Sequence, residues 1–257
     1  MVKDFFSLLS FLTPIPVPRK YREGGLSFGS VYLLPIIGLL RGGIAIIPAA
    51  VLLSLKIKLV PLIAFSIVAL HFIMQGFLHA DGLIDFTEAL LAGRFGVDAK
   101  KVLKDKYRGS YAIASFSVFT LWLYSSLSSF QEPGYALILF PISAEVWSPS
   151  SMILTSLLSG EPPEGMGREF KRSSSPSSLA ASLLISFPFT LMLSFSLKLS
   201  LIITALSLSS LLLSSLLSYY MGKKALGYAN GDVLGFSNEL CYALLLTVYA
   251  AGAYLWI

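Results

Sequence analysis

The residues best equipped for chemistry lie together in His79-Ala80-Asp81-Gly82-Leu83-Ile84-Asp85-Phe86-Thr87-Glu88. Read as helix, this stretch puts Asp81, Asp85 and Glu88 at i, i+4 and i+7 on one face. Three carboxylates stacked in this way repel one another unless a cation sits among them. Their oxygens are hard ligands and no cysteine lies nearby, so Mg²⁺, or Mn²⁺, suits them better than zinc. A solvated helix start, with acids favoured by the helix dipole, is the alternative for such a trio. The chain has only 14 acidic residues among 257, and this group follows directly on an apolar run, which favours the metal-binding reading.

The elements that must position these residues are written in the composition. Hydrophobic residues make up 55% of the chain and charged ones 13%, and the mean hydropathy is +0.77. Those values exclude the soluble globular class. Several apolar runs reach the ~20 residues that a membrane helix needs. The expectation is an all-α, polytopic membrane helical bundle. About seven transmembrane spans are expected, near residues 31–55, 59–78, 111–130, 135–158, 178–196, 199–221 and 236–257. Residues 4–13 are too short to span and read as an uncleaved interfacial segment on the lipid bilayer, followed by a Pro-rich turn and Arg19, Lys20 and Arg22. Residues 1–257 form one membrane domain with polar loops at 81–110, 160–177 and 222–235. Gln131-Glu132-Pro133-Gly134 reads as a turn. Cys241 excludes an internal disulfide and reads as an inert packing residue.

Charge gives the orientation. With the 81–110 loop on the cytoplasmic side, that side carries fifteen Lys and Arg residues, and the other keeps three, Lys56, Lys58 and Lys198. The N-terminus and the polar loops are then cytoplasmic and the C-terminus outside, in a multi-pass cell-membrane protein. The net charge of +5 is explained by this asymmetry, so no nucleic-acid partner is expected. The same topology brings Asp105, Arg108, Asp232 and Glu239 towards the membrane face of the acidic trio. Carboxylates for a metal, cations around them and Gly-rich backbone able to approach closely are the parts of a phosphoryl-transfer site. Each has a plainer alternative: the loop cations as orientation signals, Asp232 as a turn or cap residue. Glu239 and Arg41 lie within apolar runs, where ionisable groups are costly and usually functional. His79 is a candidate base, ligand or hydrogen-bonding neighbour, and His71 reads as a packing residue.

Taken together, the motifs resemble the adenosylcobinamide-GDP ribazoletransferases, the integral membrane cobalamin synthases. The resemblance runs from Phe11-Leu12-Thr13-Pro14-Ile15-Pro16-Val17-Pro18 and Leu34-Pro35-Ile36-Ile37-Gly38 through nearly the whole chain. It is most specific at His79-Ala80-Asp81-Gly82-Leu83-Ile84-Asp85 and at Lys104-Asp105 with Arg108-Gly109-Ser110-Tyr111. Pro163-Glu164-Gly165-Met166-Gly167 resembles the family's central loop, and Gly231-Asp232-Val233-Leu234-Gly235 with Glu239 its last motif. Glu88 stands where many members have a third Asp, and Glu145-Val146-Trp147 where many bacterial members are expected to carry an Arg.

The resemblance implies a membrane phosphotransferase that joins adenosylcobinamide-GDP to α-ribazole or its 5′-phosphate and releases GMP. It implies Mg²⁺ at Asp81, Asp85 and Glu88, with Asp105, Asp232 and Glu239 as second-metal or base candidates. Arg108 would hold a phosphate. A homo-oligomer is compatible with it. Three rivals stand beside this reading. A CDP-alcohol phosphotransferase would show an Asp-Gly…Ala-Arg…Gly…Asp…Asp pattern that is not met. An aromatic prenyltransferase would need a second Asp-rich loop. An ion-coupled transporter would place its acids at the bilayer midplane.

Overall fold

The computed structural model describes residues 2–21, 27–105, 107–130, 134–193 and 197–256, and these are helical with no strand among them. Arg22, Lys106 and Gln131-Glu132-Pro133 of the expected turn lie outside the described residues. The helices are α1 (Val2–Leu12), α2 (Leu34–Ala45), α3 (Ile47–Ser54), α4 (Val60–Met74), α5 (Leu78–Gly93), α6 (Ala99–Lys104) and α7 (Ser110–Ser128). They continue with α8 (Ala136–Trp147), α9 (Pro149–Leu158), α10 (Met166–Ser173), α11 (Pro176–Met192), α12 (Leu197–Ala225) and α13 (Gly231–Trp256).

Proline sets many of the breaks, because it lacks the N–H that the next turn needs. Pro48 and Pro149 interrupt what would otherwise be single rods, giving α2–α3 and α8–α9. Four stretches are long and apolar enough to cross a membrane: Val31–Ser54, Ala136–Leu158, Ser200–Ala225 and Gly231–Ala253. Two bent pairs raise the number to six if each is one span: α4 with α5 at 89°, and α10 with α11 at 84°. The chain is therefore a polytopic helical bundle of four to six such spans. The expected third span coincides with α7, a 19-residue helix that is not among them.

The polar stretches expected as loops are largely helical. Residues 81–110 contain most of α5 and all of α6, and 160–177 contain α10. The last of them closes early, because Asn230 caps α13: its Oδ1 accepts the Val233 N–H at 3.1 Å. Asp232 therefore lies inside the first turn of α13 and is not its cap. The expected interfacial segment is α1, whose Ser7, Leu8, Leu9 and Leu12 are buried against the bundle.

Helix α13 is the centre of the bundle and packs against α5, α7, α8, α9 and α12. Several of its polar groups are satisfied sideways by other helices. Ser151 donates to the Ser237 carbonyl at 2.9 Å, Thr155 meets the Ser237 hydroxyl at 2.8 Å, and Ser207 meets the Tyr249 hydroxyl at 2.7 Å. Small hydroxylated residues allow this close approach where lipid offers no hydrogen bonds. Cys241 is a buried free thiol within this packing, as expected.

Helix α5 packs closely on α13. A Cβ on Gly82 would stand 3.1 Å from the Asp232 Cα and carbonyl oxygen, and one on Gly235 would stand 3.3 Å from the His79 Cα and carbonyl oxygen. The start of α5 is aimed by a corner at Gly76 and Phe77, with φ of 56° and 59°. Phe77 is a non-glycine residue in the left-handed region, a conformation that costs about 1–2 kcal/mol. Its carbonyl oxygen accepts the Asp81 N–H at 2.8 Å, so the strained residue begins the acidic helix.

Alanine is the better helix former, yet Gly82→Ala and Gly235→Ala are each expected to destabilise the fold by about 1–3 kcal/mol, as overpacking does, and so to lower the unfolding temperature. Gly43→Ala, where nothing lies within 4 Å of the added Cβ, is expected to hold or raise it. Thermal unfolding of the three variants in one detergent checks the ordering.

Candidate active site

Helix α5 carries Asp81, Asp85 and Glu88 at the expected spacing, and each carboxylate meets a different environment. Asp81 is exposed and lines a cavity of about 140 Å³. Asp85 is buried and pairs with Arg108 through Oδ2 and Nη2. Glu88 is buried, and its Oε1 accepts the Gly109 N–H at 2.6 Å. The segment after α6 thus lies along the acidic face as a cation followed by a backbone donor. Arg108 is itself held by the Asp105 carbonyl oxygen at 2.6 Å. Asp105 contributes its backbone there, while its exposed carboxylate accepts the Tyr107 N–H at 3.0 Å.

Asp232 reaches the same place from α13. The Gly82 contact brings its backbone against α5, and the Asn230 amide holds its Oδ2 at 2.8 Å. Asp81 and Asp232 line the cavity together with His79, Gly167 and Gly231. The central loop joins through Gly167, where an added Cβ would stand 2.8 Å from the Gly231 nitrogen. The remaining wall is apolar, with Phe11, Phe28, Met152, Met166 and Phe170 among its residues. Phe28 and Phe170 meet edge to face at 5.5 Å. Outside the cavity, Glu161 accepts from Arg168 at 2.7 Å and Arg172 at 2.9 Å. These two guanidinium groups hold its carboxyl below the usual range.

Four segments far apart in sequence therefore meet at one cavity and the acidic face beside it: 79–88, 105–109, 166–170 and 230–235. Whether this face suits a divalent cation can be judged from its oxygens. Asp85 Oδ1 and Glu88 Oε2 are buried without a hydrogen-bond partner among the described residues. Carboxylate oxygens left in that condition are costly, and a hard cation relieves them. The trio itself is splayed, and among the described residues no three His, Cys, Asp or Glu side chains gather closely enough to hold an ion. Hard carboxylate oxygens of this kind suit Mg²⁺ by type, and Asp232 stands at the same cavity as Asp81.

Glu239 lies elsewhere. It is seven residues beyond Asp232, about 10 Å further along α13 at 1.5 Å per residue, and is fully buried. Its Oε2 meets His71 Nε2 at 3.0 Å, and Asn238 donates to its Oε1 at 3.1 Å. His71 Nδ1 in turn meets Glu145 Oε1 at 2.6 Å, and Glu145 Oε2 accepts from Arg41 at 2.8 Å. The reading of His71 as a packing residue is thereby corrected: it is the bridge of an ion chain. Glu145, met in the sequence only as a departure from a family pattern, is the chain's second carboxylate. Its burial inside an apolar run, the signal that singled out Glu239, would have found it.

Comparison with known proteins agrees with the motif pattern. A protein-family model described as cobalamin-5-phosphate synthase matches residues 4–250. Curated relatives include the adenosylcobinamide-GDP ribazoletransferase of Clostridium perfringens, 27% identical over 89% of both chains, and that of Clostridium kluyveri, 28% identical over 96% of both. The protein of the same name from Carboxydothermus hydrogenoformans is 34% identical over 51% of both chains. No solved structure matches.

Proposed function

The chain belongs to the cobalamin-5-phosphate synthase family, and from that premise we propose that it transfers the cobinamide phosphate of adenosylcobinamide-GDP to α-ribazole or its 5′-phosphate. A ribazole hydroxyl oxygen bonds to the cobinamide-bound phosphorus as the bond to GMP breaks, and GMP departs while the hydroxyl proton is lost. The observation that carries this reading is the cavity, whose lining combines aromatic and thioether side chains with Asp81, Asp232 and His79. The flat apolar base of ribazole suits Phe11, Phe28 and Phe170. Its sugar then lies towards the carboxylates. A corrin ring is far too large for the cavity, so the corrinoid stays at its mouth.

The protein's part is positioning and charge control. Asp81, Asp85 and Glu88 would hold Mg²⁺, which when bound would neutralise charge on the diphosphate. Arg108, tied to Asp85 and to the Asp105 carbonyl, presents a fixed cation beside that charge. Asp232 and His79 are the candidates to accept the hydroxyl proton, both being at the cavity wall. Glu88 fixes the Gly109 backbone and so sets the reach of Arg108. Purified protein in detergent should release GMP from adenosylcobinamide-GDP only when α-ribazole or its phosphate is present. Asp81→Asn and Asp85→Asn should each lower kcat by about 100-fold or more, and Glu88→Asp by less. GMP release without the second substrate, or undiminished turnover in both Asn variants and in excess chelator, would overturn the reading.

We also propose seven spans in a cell membrane, with the N-terminus and the site cytoplasmic and the C-terminus outside. The support is the asymmetry of fifteen cations against three. In a Cys241→Ala background, cysteines at Ser174 and Lys198 should label from opposite sides of the membrane. Labelling of both from one side would overturn this topology.

A further inference from the structure

Apart from the cavity lining stands the ion chain formed by Arg41 on α2, Glu145 on α8, His71 on α4 and Glu239 on α13. All four are at most 1% exposed, and none of them lines the cavity. Both ring nitrogens of His71 face carboxylate oxygens, at 2.6 and 3.0 Å. A carboxylate only accepts, so both contacts are hydrogen bonds when both nitrogens carry protons. An imidazolium and a guanidinium then balance two carboxylates, and the chain is neutral as a whole. Such balance is what permits four ionic groups in the middle of an apolar bundle.

The chain is also built at close range. A Cβ on Gly38 would stand 2.0 Å from the Glu145 carbonyl oxygen, and one on Gly42 would stand 3.1 Å from the Glu145 Cβ. Two glycines four residues apart thus let α2 press against α8, which brings Arg41 within 2.8 Å of Glu145. On the other side Tyr242 of α13 stacks on the His71 ring, centroids 3.9 Å apart. Gln75, one turn after His71, sets its amide nitrogen 3.0 Å from His71 Nε2, a packing contact between two donors and not a hydrogen bond. The strained corner at Gly76 and Phe77 follows immediately, and the acidic helix begins there. His79 lies on the first turn of that helix.

We infer that this buried chain is a positioning device for the reaction site: it holds the Gln75–Phe77 corner, and through it His79 and Asp81, in the geometry that turnover requires. The inference rests on the proposed function for its kinetic consequence. Glu239 is then a positioning residue that touches no substrate, and Arg41 and Glu145 act on the site from the far side of His71. A chain that served stability alone would be replaceable by apolar side chains of similar size at no kinetic loss.

The test is the double variant Arg41→Met/Glu145→Met, which removes one cation and one anion together and leaves His71 paired with Glu239. It should unfold at or above the wild-type temperature. Its kcat should fall about tenfold or more with KM changed less than about threefold, since a small misplacement is felt in the chemical step. Arg41→Lys keeps the charge and deletes Nε, a buried donor without a partner, and should retain about a third of kcat or more, whereas Arg41→Gln should keep less than about a tenth. A readout without turnover is the maleimide reaction of Asp81→Cys in a Cys241→Ala background, whose rate should change more than about threefold when the double substitution is added. Wild-type kcat in the folded double variant, equal losses in the Lys and Gln variants, or an unchanged labelling rate would each overturn the inference. A wild-type protein that releases no GMP would instead overturn the proposed function, and the labelling rate would still decide this one.

Discussion

The glycine-mediated contact between α5 and α13 is the constraint on which the site depends. Without a side chain at Gly82 and Gly235 the two backbones meet at van der Waals distance, and the first turns of both helices lie side by side. Each of those turns carries an aspartate, so packing forces Asp81 and Asp232 to share one cavity. Two carboxylates held together in this way are destabilising in an empty protein and favourable around a cation or a substrate bearing one. Free energy from helix packing is thus converted into an electrostatic demand at the cavity. Arg108 meets part of that demand at Asp85, and the Gly109 N–H meets part at Glu88.

Polarity inside the bundle is handled in three ways, graded by cost. Serine and threonine hydroxyls bond to neighbouring helices and need no charge. The ion chain of Arg41, Glu145, His71 and Glu239 is neutral as a set, and its carboxylate oxygens are all partnered. Among the described residues, the acidic face is the one of the three left with buried carboxylate oxygens unpartnered, at Asp85 and Glu88. Unsatisfied oxygens are tolerated where a ligand completes them, which is why this face and not the deeper chain reads as the reactive one.

Much of the site was legible in local sequence, and what was not has a common cause. The helical spacing of Asp81, Asp85 and Glu88, and the glycines beside Asp81 and Asp232, are short-range signals that survive into the fold. The helical bundle itself followed from apolar runs, though prolines at 48 and 149 cut two of them and right-angled corners shortened two others. The partners in the ion chain are 104, 74 and 168 residues apart, so no window could pair them. His71 offered one imidazole in an apolar helix, which packing explains as well as charge does. The corner at Phe77 carries no turn signature beyond a single glycine, because a bulky residue takes the left-handed position that propensity would give to glycine or asparagine.

The central claim is that motifs about 150 residues apart form one catalytic unit across the α5–α13 contact. The most direct measurement is the turnover of Asp85→Asn, Asp232→Asn and the double variant, on preparations whose unfolding temperatures are recorded alongside. Parts of one unit are strongly non-additive, so the double variant should lose little more than the worse single one. Losses that multiply, or full turnover in Asp232→Asn, would separate α13 from the site and contradict the account.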